Sequence, residues 1–214
     1  MAITYLSGQR IQGLSSDTKP TDVPVGSEFE QTDDYKNYQF GSPEVYNVTT
    51  EDDTANMDQY HTGIGIQFNG SADQGLLTQV IFYMKSTASP EGSITARYYK
   101  GESLTETEIA SAVTGTGTSG GALTADNVPA TETAYTFTFG GTNEIVTDDI
   151  IAIHWVQSPS TSDKINIYTD YGLSTTDWGT ANRDTRESGW TKSTANSVKA
   201  TINSKKWVER GTAL

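Results

Sequence analysis

Short runs in which apolar and polar residues alternate recur along this 214-residue chain, separated by clusters of Gly, Ser, Thr, Asn and Asp. A period of two, in runs enriched in Val, Ile, Thr, Tyr and Phe, marks half-buried β-strands. Eight such runs lie in the long middle of the chain: Glu44 to Thr49, Thr62 to Phe68, Thr78 to Lys85, Ser93 to Tyr99, Ala134 to Phe139, Asp149 to Gln157, Lys164 to Thr169 and Val198 to Asn203. The third and fourth flank Ser89-Pro90-Glu91-Gly92 and predict a hairpin around a Pro-Gly turn. Between the fourth and fifth, Ser103-Leu104-Thr105-Glu106 has a capping-box pattern ahead of Ile109 and Ala110, which predicts a short peripheral helix. The glycine-threonine run from Thr114 to Gly121 predicts a mobile loop.

The two ends of the chain share a second pattern. Ser27 to Asp33 alternates, Asp34-Tyr35 makes a tight turn, Lys36 to Phe40 returns, and Lys206-Trp207-Val208-Glu209 has the character of a third strand. These pieces predict a three-stranded meander opened between Phe40 and Lys205, which requires Phe40 and Trp207 to be neighbours in space. Glu28 and Glu30 share one face of an edge-like strand, where charge guards against unwanted pairing.

The terminal segments also carry a resemblance. Tyr5-Leu6-Ser7-Gly8, Arg10-Ile11-Gln12-Gly13, Asp17-Thr18-Lys19-Pro20 and Val25-Gly26-Ser27-Glu28-Phe29-Glu30-Gln31-Thr32-Asp33, with Trp207-Val208-Glu209-Arg210-Gly211-Thr212-Ala213 at the far end, resemble a short module of environmental, phage and archaeal-virus proteins. The resemblance implies a unit of residues 1–42 plus 205–214, with residues 43–204 inserted at an exposed position. The order of strands in the insertion resembles the jelly-roll family, whose number is eight antiparallel strands. It implies an all-β fold: an antiparallel jelly-roll sandwich, galactose-binding-like or carbohydrate-module-like, inserted into the three-stranded terminal module. Trp190 matches that family's loop tryptophan before its final strand.

Composition narrows the function. A net charge of −13 and a pI near 4.4 disfavour nucleic acid, because counterion release needs clustered Lys and Arg. There is no cysteine, hence no disulfide, thiolate metal site or cysteine nucleophile. Residues 1–10 lack a basic region followed by an apolar one, and no apolar run approaches membrane-spanning length, so neither a signal peptide nor membrane insertion is expected. A virion protein needs no such signal, whereas a secreted one ordinarily does.

Candidate chemistry is sparse. His61 and His154 are the only histidines, and both read as structural, with no second ligand at metal spacing. No nucleophile elbow, zincin motif or phosphate loop is present. Glu51-Asp52-Asp53 with Asp58 forms an acidic loop, and hard cations take oxygen ligands, so Asp52, Asp53 and Asp58 are the candidates for a structural calcium, the sole cofactor considered. A solvated loop is the plain alternative. Tyr168, Tyr171, Trp178 and Trp190 fall in or beside loops of the seventh and eighth strands, where rings can stack on sugar faces while Asp170, Asn182 and Arg183 supply hydrogen bonds. The competing reading has these rings capping the core.

The expectation is a non-enzymatic virion structural protein at the particle surface, as a capsid decoration or a tail, fibre or spike component. Its partners are other virion proteins and copies of itself, in a homo-oligomer such as a trimer. The alternatives are a carbohydrate-binding adhesin or receptor-binding module, extracellular or at a cell surface, and a cell-surface or filament subunit. A glycan-cleaving enzyme would need a carboxylate pair at glycosidase separation.

Overall fold

The computed structural model describes residues 8–58, 61–71, 74–100, 107–111, 123–140, 143–156, 162–171, 178–184, 190–193 and 196–210. For residues 107–111, 156, 171, 178, 179, 182–184, 190–193 and 196 the description is of the backbone alone. In chain order the strands are β1 (Arg10–Gly13), β2 (Glu28–Gln31), β3 (Asn37–Gly41), β4 (Glu44–Val48), β5 (Asp53–Met57), β6 (His61–Phe68), β7 (Leu76–Thr87), β8 (Ser93–Lys100) and β9 (Thr107–Ser111). They continue with β10 (Leu123–Thr124), β11 (Thr133–Thr138), β12 (Ile150–Val156), β13 (Lys164–Tyr171), β14 (Trp178–Asp184), β15 (Trp190–Ser193), β16 (Asn196–Val198) and β17 (Ala200–Glu209). Among the described residues the one helical element is a 3-10 turn, Ala125–Asn127. The fold is all-β.

The strands form two sheets. The larger runs β1-β2-β3-β17-β7-β13-β16, with β4 also on β17, β5 on β13 and β11 on β7. The smaller runs β10-β8-β12-β6-β14-β15, with β9 on β8. Every pairing is antiparallel except β1 with β2, which is parallel and makes the larger sheet mixed.

Alternation dictates how the layers meet. Along β7, Val80, Phe82 and Met84 are buried, joined on their face by Phe137, Ile165, Ile167, Ala200 and Ile202 from neighbouring strands. Ile64, Ile66, Phe68, Ile94, Ala96, Tyr98, Ile151, Ile153 and Trp155 from the smaller sheet belong to the same buried cluster. The layout is thus sandwich-like, with one shared core. The approach of β6 to β12 depends on Gly65, where a Cβ would lie 2.4 Å from the Cα of Ala152. Only hydrogen fits there.

All eight expected strands are present, but three expectations need correction. β7 and β8 do not form a hairpin: they lie in different sheets, and residues 88–92 turn the corner between them. Ala88 (φ 64°) and Gly92 (φ 102°) supply the left-handed backbone that the corner needs. The Trp155 indole donates to Glu91 O across 2.9 Å and fastens the corner to the smaller sheet. The apolar faces of β7 and β8 therefore meet across the core rather than side by side. The expected helix is also overturned, since Thr107–Ser111 is strand β9 on the edge of β8; Ser103 to Glu106 lies outside the described residues, as does the run from Thr114 to Gly121. Third, β2 is not an edge, because β1 pairs with it.

β17 connects the two ends of the larger sheet. Its first part pairs with β7 and β4, from Ala200 opposite Phe82 and Val48 onward. Its last part pairs with β3, Lys206 opposite Gly41, Trp207 opposite Phe40, Val208 opposite Gln39 and Glu209 opposite Tyr38. Phe40 and Trp207 are neighbours, with ring centroids 5.2 Å apart.

Candidate functional site

The terminal end of the larger sheet has one packed face and one polar face. The β2–β3 hairpin closes as expected, with Tyr35 at φ 59° and exposed, and with Lys36 N–H donating to Asp34 Oδ1 at 3.2 Å. On the packed face Trp207 lies against Phe40 and, at 5.9 Å between centroids, against Phe29. The loop after β1 is bound to this cluster: Trp207 Nε1 donates to Pro20 O at 2.8 Å, and Lys19 Nζ stands 5.3 Å from the Phe29 ring and 4.2 Å from the Tyr38 ring. Cation–π contact lets a lysine sit over an apolar cluster without a carboxylate. Leu14 N–H donates to Asp17 and Ser15 N–H to Asp33 Oδ1, at 2.7 and 2.8 Å, which fixes the strand's exit. The Ser15 hydroxyl bonded to Asp33 holds that carboxyl below its ordinary range, so the anchor stays ionised.

The polar face is a ladder of charge. Arg10 lies 3.6 Å from Glu28 Oε2, Arg210 Nη2 donates to Glu28 Oε1 at 2.6 Å, and Gln12 Nε2 donates to Glu30 Oε2 at 2.9 Å. Arg10, Gln12, Glu28, Glu30 and Asn37, with the strand at Ile11, line a hollow of about 380 Å³ along β1 and β2. Sequence alternation placed Glu28 and Glu30 on one face correctly, but their partners, Arg10 and Gln12 on β1, were missed. A four-residue strand with one large apolar side chain leaves little periodic signal.

The sandwich end presents a second constellation, at Lys199, the residue between β16 and β17. Its ammonium donates to Glu132 Oε1 at 2.6 Å and to Glu51 Oε2, and it stands 4.8 Å from the Tyr83 ring and 5.6 Å from the Tyr168 ring. Burial works against the charge of Lys199, but the Glu132 and Glu51 carboxylates outweigh it and hold the group above the ordinary lysine range. Lys85 adds a second cation 5.1 Å from Tyr168. Beside Tyr168, Glu51, Asp52, Asp53 and Thr54 line a shallow hollow, also of about 380 Å³, and Thr50 donates to Asp170.

The sequence-predicted glycan residues are divided between the sheets. Tyr168, Asp170 and Tyr171 are in β13 of the larger sheet. Trp178, Asn182 and Arg183 are in β14 and Trp190 opens β15, in the smaller sheet, with Trp178 opposite Phe68 and Arg183 opposite Trp190. Those residues are strand, not loop, because β14 and β15 extend the sheet from β6. The side chains of Tyr171, Trp178, Asn182, Arg183 and Trp190 lie outside the described residues.

The proposed calcium ligands do not converge. Asp52 and Asp53 flank the hollow at Tyr168, whereas Asp58 follows the far end of β5, five strand steps or about 16 Å along the chain from Asp53. There Asp58 Oδ1 accepts the His61 N–H at 2.9 Å and lies 3.1 Å from His61 Nδ1. Among the described residues no three His, Cys, Asp or Glu side chains are grouped to hold a metal. Nor, among them, is any helix long and apolar enough to cross a membrane.

No family model, curated protein or solved structure matches the chain.

Proposed function

We propose that this chain is a non-enzymatic structural protein of a virus particle, anchored by its terminal sheet and displaying the sandwich outward. The observation that carries the reading is β17, one strand that begins in the sandwich core at Ala200 and ends in the terminal sheet at Glu209. A load on the terminal sheet passes to the sandwich through main-chain hydrogen bonds rather than through a linker. The resemblance of the terminal segments to phage and archaeal-virus proteins supports the setting. The polar hollow and the edge of β1, which among the described residues pairs with β2 alone, suit attachment by strand addition, a mode that needs no enclosed pocket.

Stoichiometry on native particles tests this. Particles purified from the source and quantified by mass spectrometry are expected to carry the chain in a fixed ratio to a major capsid protein. Its absence from particles, or a trace and variable ratio, overturns the proposal.

A second reading, a glycan-binding adhesin, is favoured by one observation: Tyr83 and Tyr168 are half-exposed rings on the outward face of the larger sheet, held in place by Lys85 and Lys199. Pre-positioned rings beside carboxylates and hydroxyls suit sugar stacking. Titration with neutral oligosaccharides, reading the tyrosine resonances, supports it if those signals shift and removes it if they do not.

A further inference from the structure

We propose that the outer edge of β1 is a self-docking site, where two copies of the chain pair β1 against β1, antiparallel, and continue one sheet across a two-fold axis. This rests on the reading of the terminal sheet as the anchor and names its partner, a second copy.

Among the described residues β1 pairs with β2 alone and ends the larger sheet. The phase of that pairing fixes what its free side offers. Gln9 O accepts from Glu28 N–H at 2.7 Å and Gly13 O from Thr32 N–H at 2.9 Å. Alternate residues of a strand direct their main chain to the same side, so Gln9, Ile11 and Gly13 face β2, and Arg10 and Gln12 direct N–H and C=O outward. Two such residues, two positions apart, make the edge self-complementary. With the two-fold at Ile11, Arg10 of one copy opposes Gln12 of the other, each pair exchanging N–H and C=O, and the two Ile11 residues meet at the axis as the close, non-bonded pair.

The side chains agree with this register. A two-fold perpendicular to the sheet keeps faces together, so both polar ladders lie on one side. Arg10 is 84% exposed, and the Glu28 carboxylate beside it already takes Arg210 at 2.6 Å. Across the axis, Arg10 comes beside Gln12 of the second copy, which stands in register with Glu30 and donates to it. Each guanidinium thereby faces the Glu30 carboxylate of the other copy, and the contact occurs twice. Ile11, in register with Phe29, brings a small apolar patch to the axis on the opposite face. β1 is short and carries the charge of Arg10, but it contains no proline and no bulge interrupts its register with β2, so its outward N–H and C=O groups keep regular strand spacing.

Sedimentation velocity of the full chain over a concentration series tests the pairing. The wild type is expected to show a reversible monomer–dimer equilibrium. Gln12→Pro removes an outward N–H that β2 does not use, and is expected to weaken association by roughly tenfold or more with an unchanged circular dichroism spectrum. Arg10→Glu is expected to weaken it as well, and the double exchange Arg10→Glu with Glu30→Arg to restore it. A chain monomeric at every concentration, or a dimer indifferent to these substitutions, overturns the proposal. Hydrogen exchange on the wild type covers the case where Gln12→Pro misfolds. Amides of Arg10 and Gln12 are expected to gain protection with concentration, and exchange that is fast throughout overturns the pairing. A monomer still found on particles overturns this inference alone, and a dimer absent from particles overturns the structural reading alone.

Discussion

Asp149, 1% exposed, joins three stretches of chain. Its carboxylate takes the Tyr98 hydroxyl and the Val146 N–H at 2.9 Å, while its own N–H donates to Val146 O at 3.2 Å. The Tyr98 oxygen also lies 2.6 Å from Glu144 O, so one proton serves two acceptors. Tyr98→Phe removes that proton and leaves buried oxygens short of a donor, with an expected loss of about 1–3 kcal/mol in urea unfolding. Burial pushes the phenol of Tyr98 far above its ordinary range, helped by Asp149, and burial does the same to Tyr46, whose hydroxyl donates to Val198 O at 2.6 Å. The sign follows: a raised folded pKa gives stability that is complete below the unfolded value of about 10 and is lost as pH rises beyond it. Melting temperature is therefore expected to hold from neutral pH to about 10 and then fall, with tyrosinate absorbance appearing together with unfolding rather than before it.

Among the elements, β6 and the β3–β17 pair are the most sensitive. Gly65→Val places carbon where Ala152 Cα and Cβ already stand, and the expected outcome is a chain that melts far lower or fails to fold. At Gly41 the nearest atom to an added Cβ is Pro43 Cδ at 3.9 Å, so Gly41→Ala is expected to be tolerated and serves as the control. Trp207→Ala removes a half-buried ring from the cluster with Phe29 and Phe40, at a cost of up to about 3 kcal/mol. Hydrogen exchange should then accelerate across β2 and β3 before β6 and β12. These elements differ in how readily sequence discloses them. β7 and β13 were legible because alternation of large apolar residues reports which side chains are buried, and β12 because an unbroken apolar run marks a strand buried on both faces. The same pattern is silent on whether a partner strand lies beside or across, so the corner at Pro90 and Gly92 passed for a hairpin. Asp53–Met57 reads as an acidic loop because Met57 is its one fully buried side chain, and β13 recruits it by pairing. The capping pattern before Ile109 yielded to the open edge of β8, where pairing outweighs a local helix preference. β1 was least visible of all, since its parallel partner lies across the whole loop from Leu14 to Ser27.

For the whole molecule, β17 makes the two ends of the larger sheet one mechanical body, and charge is distributed accordingly. The terminal sheet carries ion pairs along its polar face, while the sandwich end concentrates Glu51, Glu132 and Lys199 around two tyrosines. Legibility at this scale was uneven too. The proximity of Phe40 and Trp207 followed from matching strand patterns at the two chain ends, whereas Asp58 is held away from Asp52 and Asp53 because the stretch between them is strand β5, and the glycan candidates fall on β13 of one sheet and on β14 and β15 of the other because one-dimensional spacing does not say which sheet a strand joins. In the proposed function the terminal sheet is the attachment surface on a particle and the sandwich faces outward. Lysine cross-linking of intact particles, read by mass spectrometry, tests it most directly. Lys19, Lys36 and Lys206 on the terminal sheet are expected to link to neighbouring proteins or copies, while Lys85 and Lys164 on the sandwich link only within the chain. Neighbour links concentrated on Lys85 and Lys164, with none from the terminal sheet, would contradict it.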